Sequence, residues 1–392
     1  MTSTTRCMRP GVVGTALVAL WVTSLGLSCR SMPAATSAAS WSPQAAAAYL
    51  DKREAWWMKW PPAARDHETF CVSCHTVLPY ALGRPALSKE LNEKYPPAID
   101  VELLADVRKR VQGWKEAEPY YTDQGSGPHK AAESRGTESV LNALILSSSD
   151  ARNGQLGTDT RAALAHMWEL QQTEGPDRGS WPWLQFDNEP FEGRGSQYYG
   201  AALAAVATGL APADCRSSPE IQKSIRLLRE YLDREYRNQS TINRVTLLWA
   251  SLELPGLVPK RRQEAIMKDV LSLQRPDGGW SLANLSWSWK EWSTKSLIKL
   301  WVRSNDSPLE PKSDGYATGL IAYTFEEAGF PADDAHLGKA LNWLQHAQDT
   351  EQGYWPGYSL NKHVNPASGM GRFMNDAATG FAVLALTRNN QR

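Results

Sequence analysis

The sequence predicts an all-α chain in which six helical hairpins close into one ring, a single (α/α)6 toroid preceded by an export signal. Three observations predict it. Amphipathic segments alternate with segments that are apolar nearly all round, and a helix apolar on every face is buried on every side. A turn of glutamine followed by Gly-x-Trp recurs where the first kind gives way to the second, and recurrence at this scale marks a repeat architecture. Neither end of the row carries a polar capping unit, so closure into a ring is what covers its apolar ends.

The N-terminal element is a targeting segment. Arg6 and Arg9 precede the uncharged apolar run GVVGTALVALWVTSLGL, residues 11–27, which is short for a membrane span. Ser28, Cys29 and the small-residue stretch SMPAATSAAS follow, the order of an export signal. LGLSC resembles a bacterial lipobox, although Gly26 stands where leucine is usual and Leu25 comes one place early. The resemblance implies lipidation at Cys29 and a membrane partner through the anchor. Cleaved export without a lipid and an uncleaved anchor are the alternatives. All three put the folded part outside the cytoplasm, as a periplasmic or cell-envelope protein of a bacterium. Residues 1–29 are then the signal, 30–44 a flexible linker and 45–392 the toroid.

The hairpins follow in order. AAAYLDKREAWWMKWP (46–61) is an outer helix and HTVLPYALGRPAL (75–87) its inner partner. VELLADVRKRVQGW (101–114) pairs with GTESVLNALILSS (136–148). ALAHMWELQQTEGPDRGSWP (163–182) runs through a Gln–Gly-x-Trp turn to QYYGAALAAVATG (197–209). SPEIQKSIRLLREYLDREY (218–236) pairs with INRVTLLWASLEL (242–254) without that turn. IMKDVLSLQRPDGGW (266–280) precedes DGYATGLIAYTFEEAG (314–329), and KALNWLQHAQDTEQGYWP (339–356) precedes DAATGFAVLALT (376–387). Thr76, Thr137, Thr318 and Thr379 fall at equivalent inner-helix starts.

Composition narrows the function. Lys+Arg and Asp+Glu both number 42, so no basic footprint for nucleic acid exists. No nucleotide cofactor is expected. The five cysteines form no disulfide framework: Cys7 lies in the signal, Cys29 at the lipid position, Cys71 and Cys74 in one motif, and Cys215 apart.

That motif is FCVSCHT, residues 70–76, a Cys-x-x-Cys-His with the spacing of a c-type haem attachment site. Two thiols one helical turn apart add to the haem vinyl groups, and His75 reaches the iron. The expectation is one covalent haem c held by Cys71, Cys74 and His75. A Cys71–Cys74 disulfide, a zinc site and a reduced structural pair are the alternatives. If the ring closes, the sixth connecting loop, residues 357–375, lies beside the motif and offers His363, Met370 or Met374 as second iron ligand. His67 is nearer in sequence, and His129 sits in the second loop.

Lys339, Ala340, Trp343, Leu344, Gln348, Gly353 and Trp355, with Gln274, Gly278 and Trp280 as a less complete copy, resemble the QW motif of squalene–hopene cyclases. The resemblance implies the terpenoid-cyclase and prenyltransferase-like toroid, with inner helices lining a central cavity. It carries over no catalytic Asp-x-Asp-Asp run, because none is present. Asp314 and Asp376 start inner helices and serve either as N-caps or, in a cyclase-like enzyme, as general acids. The long fifth loop with Trp287, Trp289 and Trp292 has the look of a lid or an interaction surface.

Three functions are carried forward. The first is electron transfer or haem-dependent redox chemistry at the cavity, with a redox partner protein. The second is a haem-free, cyclase-like isomerase or lyase acting on a hydrophobic small molecule. The third is a non-catalytic binding scaffold.

Overall fold

In the computed structural model, residues 41–286, 312–331, 333–362 and 364–389 are described. The signal segment with Cys29, the tryptophans at 287, 289 and 292, and His363 lie outside the described residues.

Six long inner helices form the wall of the ring: α2 (Val77–Glu90), α5 (Lys130–Asn153), α7 (Ser196–Leu210), α9 (Thr241–Glu253), α12 (Gly315–Glu327) and α14 (Phe373–Asn389). Each packs on the next, and α14 packs on α2, so the ring closes. Outside it lie α1 (Pro43–Lys59), α3 (Ala98–Gln112), α6 (Thr158–Glu169), α8 (Pro219–Glu235), α10 (Lys260–Leu271) and α13 (Ala335–Ala347). Most outer helices rest on the inner helix of the preceding pair: α6 on α5, α8 on α7, α10 on α9. Two single turns, α4 (Asp123–Ser126) and α11 (Leu282–Leu285), sit in connecting loops.

The periodicities account for this arrangement. Along α7 nearly every side chain from Tyr198 to Thr208 is buried, whereas α8 buries only Ile225, Leu228, Tyr231 and Leu232 along one stripe. Serines cap two of the outer helices: Ser42 accepts from the Ala45 N–H at 3.2 Å and Ser218 from Ile221 at 3.3 Å.

The three Gln–Gly-x-Trp turns are built alike. Each glutamine Nε2 donates to its own turn glycine carbonyl: Gln171 to Gly179 at 3.1 Å, Gln274 to Gly278 at 2.8 Å and Gln348 to Gly353 at 3.2 Å. The same nitrogen also reaches the start of the next outer segment, at Ser224, His336 and Ser42. Each tryptophan Nε1 donates back to its own outer helix, Trp181 to Met167, Trp280 to Val270 and Trp355 to Leu344. The Gln348–Ser42 bonds join the last pair to the first. The glycine is obligatory at Gly353: φ is +86°, and a Cβ would stand 2.0 Å from the Ala45 carbonyl oxygen.

Among the described residues no helix is long and apolar enough to cross a membrane.

Candidate functional site

At one mouth of the ring the loops of the first, second, third and sixth pairs enclose a cleft of about 340 Å³. The CVSCH segment forms its floor and is tied down from three sides. Cys71 N–H donates to the Ala63 carbonyl at 2.8 Å, Phe70 N–H donates to Asp106 Oδ1 at 3.2 Å, and Trp57 Nε1 donates to the Cys71 carbonyl at 2.7 Å. A short hairpin, β1 (Ala64–Arg65) with β2 (Thr69–Phe70), leads into it. The buried Arg110 holds that hairpin to the second pair, through Asp66 at 2.9 Å and Glu138 at 2.8 Å.

The far wall is a tight loop of the third pair. Phe186 and Asn188 N–H groups both donate to the Glu192 carbonyl, at 2.8 and 3.1 Å, which turns Phe186, Asn188 and Glu192 toward the cleft. The sixth loop bridges to it across the mouth. Asn361 accepts from Glu189 N–H at 3.2 Å and donates to Asp187 at 3.0 Å, and Lys362 Nζ donates to the Phe186 carbonyl at 2.7 Å. Loops far apart in sequence thus meet only because the ring is closed.

Aromatic rings dominate the lining. Phe373 lies flat on the His75 ring, 3.8 Å between centroids, and Trp57 meets His75 edge-on at 5.3 Å. Trp60 stacks on Trp56 at 5.1 Å, and Tyr121 packs edge-on to Phe186 at 4.7 Å. Such rings offer apolar faces with few polar demands, the common lining of ligand clefts.

A buried polar chain stands behind His75. Asp376 accepts from the Tyr49 hydroxyl at 2.7 Å, from Arg53 Nε at 2.7 Å and Nη2 at 2.8 Å, and from the Thr76 hydroxyl at 2.8 Å. Because the Thr76 proton goes to Asp376, Thr76 Oγ1 accepts from His75 Nδ1–H at 3.0 Å. The network therefore assigns the tautomer with the basic lone pair on Nε2. Burial, with the Arg53 charge adding, pushes the His75 pKa down to about 3, so the ring is neutral. Burial also works against the Arg53 charge, but the hydrogen bond and charge of Asp376 outweigh it and raise the guanidinium pKa.

Glu192 is the carboxyl group among the described lining residues. Burial pushes its pKa up to about 7, against the opposing pull of Asn188, Lys362 and Lys130. A carboxyl balanced at that pH within a cleft is a proton-transfer candidate. It was missed in the sequence because a lone glutamate in a loop carries no pattern.

The sequence-predicted residues are placed as follows. Cys71, His75, Met370 and Met374 line this one cleft, Met370 being 47% exposed and Met374 buried. Cys74 is buried in the wall. His67 does not line the cleft; it is paired with Asp66 at 2.9 Å. His129 begins α5 in a left-handed conformation, away from the cleft lining. Burial pushes the Cys71 thiol up to about 12 and Cys74 well above its usual value, which favours the protonated form of both. Asp314 caps α12, accepting from Ala317 N–H at 2.8 Å, and does not line the cleft. Asp376 lies inside the first turn of α14 and holds Arg53 and Thr76.

No protein-family model matches the chain, and no curated protein matches it. Solved structures do. A polysaccharide lyase aligns with a TM-score of 0.52 and 13% identity, covering 89% of this chain and 97% of its own. An inactive variant of an α-1,6-mannanase of Salegentibacter sp. HEL1_6, in complex with α-1,6-mannotriose, aligns at 0.50 and 12%, covering 88% and 100%. At these identities the likeness shows the fold, an α/α toroid.

These likenesses correct the functional expectation. These two solved chains are described as a polysaccharide lyase and an α-1,6-mannanase variant, not as haem electron carriers or terpenoid cyclases. Metal binding is corrected with it: among the described residues no group of three or more His, Cys, Asp or Glu is placed to hold an ion. The cyclase-like reading also loses its acid, since Asp314 and Asp376 are both committed to holding the fold.

Proposed function

We propose that the chain is an exported carbohydrate-active enzyme that cleaves a glycan in the cleft at the toroid mouth. The observation that carries this reading is Glu192, poised near neutrality in a cleft walled by the rings of Trp57, Trp60, Tyr121 and Phe186. Sugar rings bury their C–H faces on aromatic rings while their hydroxyls take hydrogen bonds from the rim. The toroid shared with a polysaccharide lyase and a mannanase supports the substrate class.

Magnitudes decide the roles. A histidine with a pKa of about 3 is a weak base, so His75 acts as a fixed hydrogen-bond acceptor for a sugar hydroxyl. Glu192, at about 7, is matched to proton transfer at neutral pH. Hydrolysis by the usual route needs two carboxyl groups flanking the bond. The described cleft lining presents one, which favours elimination from an acidic sugar chain. There the Glu192 carboxylate takes the proton α to the sugar carboxylate, the C4–O bond breaks as the C4=C5 double bond forms, and the proton passes to the leaving oxygen. Lys362 and Asn188 stand in the same cleft to stabilise charge on the substrate carboxylate.

The test is incubation of the exported protein with a panel of neutral and uronate-containing polysaccharides. New reducing ends together with an ultraviolet-absorbing unsaturated product mark elimination, and reducing ends alone mark hydrolysis. Glu192→Gln should lower the rate by about a hundredfold to ten-thousandfold with the fold unchanged. No cleavage of any glycan, or a fully active Glu192→Gln variant, would overturn the reading.

A further inference from the structure

A second cavity, of about 560 Å³, lies on the other side of the segment that carries Met370 and Met374. Gly369 and Arg372 line this cavity, while Met370, Gly371, Phe373 and Met374 line the glycan cleft, so one stretch of chain is the wall between them. Three cations converge there, Lys52, Arg53 and Arg372, against the single lining carboxylate of Glu351.

Arg53 makes this a built site rather than a patch of surface lysines. It is 6% exposed. Its Nε and Nη2 are fixed by Asp376, and Nη2 also by the Gly369 carbonyl at 2.8 Å. Its Nη1 is engaged by no described residue. The guanidinium also lies 4.3 Å from the centroid of Trp56, which holds its plane. Arg372 is steered from the other side, donating to Gln352 at 3.3 Å and lying 6.0 Å from the Tyr354 ring. Lys52 is exposed and forms no ion pair among the described residues. Even counting Asp376 behind Arg53, positive charge is in excess. Converging cations repel unless a counter-charge joins them, and a guanidinium with a spare N–H edge matches a planar or tetrahedral oxyanion.

We infer that this cavity binds an oxyanion, a carboxylate or a phosphoryl group, on Arg53 Nη1, Lys52 and Arg372. The site is distinct from the glycan cleft and does not depend on its chemistry. It is joined to that cleft by the Arg53–Asp376–Thr76–His75 chain.

The experiment is calorimetric titration of the full folded chain with inorganic phosphate and, separately, with acetate, at an ionic strength held constant with chloride. The expected result is saturable one-site binding with Kd in about the millimolar range, weakened at least tenfold in Lys52→Ala/Arg372→Ala. Phosphate alone identifies a phosphoryl ligand, acetate alone a carboxylate, and both together a general oxyanion site. If the double variant does not fold, Lys52→Gln on the exposed rim gives the same reading with a smaller loss. No saturable binding of either anion, or binding unchanged in the folded variants, would overturn the proposal. Neither result involves turnover, so this site and the proposed cleavage fail or stand separately.

Discussion

Thr76 is the N-cap of α2 and Thr318 the fourth residue of α12, so the expected equivalence of their positions does not hold, and they do different work. Thr318 accepts the Trp280 N–H at 2.9 Å and ties the fifth turn to its helix. Thr379 does the same for Trp355 at 3.1 Å, whereas Thr137 on α5 accepts from Leu184 N–H in the third pair's loop at 2.9 Å. Thr76 instead donates to Asp376 and accepts from His75. The tryptophans differ in parallel. Trp355 donates back into its own outer helix, whereas Trp57 donates forward to the Cys71 carbonyl and holds the cleft floor. In the fifth and sixth pairs these threonines and tryptophans tie each turn to its own two helices. In the first pair Thr76 and Trp57 instead hold His75 and the cleft floor.

The sharpest way to break the ring side of this comparison is Gly353→Ala. The added Cβ meets the Ala45 carbonyl at 2.0 Å and the backbone must keep φ at +86°, so a loss of about 3–5 kcal/mol is expected in denaturant unfolding. Gly175→Ala is the control. Its φ is +76° but nothing lies within 4 Å, and the cost should be only about 1 kcal/mol. Equal losses would mean that the seam between α13 and α1 is not tight.

The two inner-helix aspartates give the next test. Asp376 receives a guanidinium and two hydroxyls, while Asp314 receives only backbone N–H groups. Burial raises both carboxyls, Asp376 against the pull of Arg53 and the two hydroxyls, and Asp314 from 3.8 up to about 7 despite its backbone bonds. The native protein then keeps a proton that the unfolded chain has released, so stability falls as pH rises from about 4 to about 7. Asp314→Asn still accepts at the helix cap and removes this titration. Measured from pH 4 to 8, the variant should lack a decline of roughly 2–4 kcal/mol. Parallel curves for the two proteins would refute the assignment.

The smallest effect separates the two threonines. Thr318→Val leaves the buried Trp280 N–H without its acceptor and should cost about 1–2 kcal/mol, with the His75 resonance unchanged in NMR. Thr76→Val should cost a similar amount and also shift the His75 signal, because Nδ1–H loses its acceptor. A Thr76→Val protein with an unmoved His75 signal would show that the two are not coupled.

Much of the fold was legible in the chain. The apolar-all-round segments located the inner helices to within a few residues, apart from α5, which runs from Lys130 to Asn153 where 136–148 was expected. The glutamine and tryptophan spacing located the turns, because the bonds they make are mostly local. Closure was legible as well, since a row of apolar hairpins without caps has no other way to hide its ends. That closure brought Met370 and Met374 beside Cys71 and His75, as the loop order implied. The chemistry was not legible. A Cys-x-x-Cys-His spacing points to haem attachment, but local spacing does not say what the surrounding architecture is used for.

The sequence by itself therefore determined the helices, their pairing and the ring, because these rest on periodicity and on residues near one another in the chain. Only the tertiary structure decided the site. Glu192 has an ordinary sequence context and becomes poised near neutrality by burial that loops of distant pairs create. Asp376 reads as a helix cap and becomes the anchor of Arg53 and Thr76 because α14 closes against α1 and α2. Burial and charge at a point depend on everything packed around it, and that is assembled only when the ring is complete.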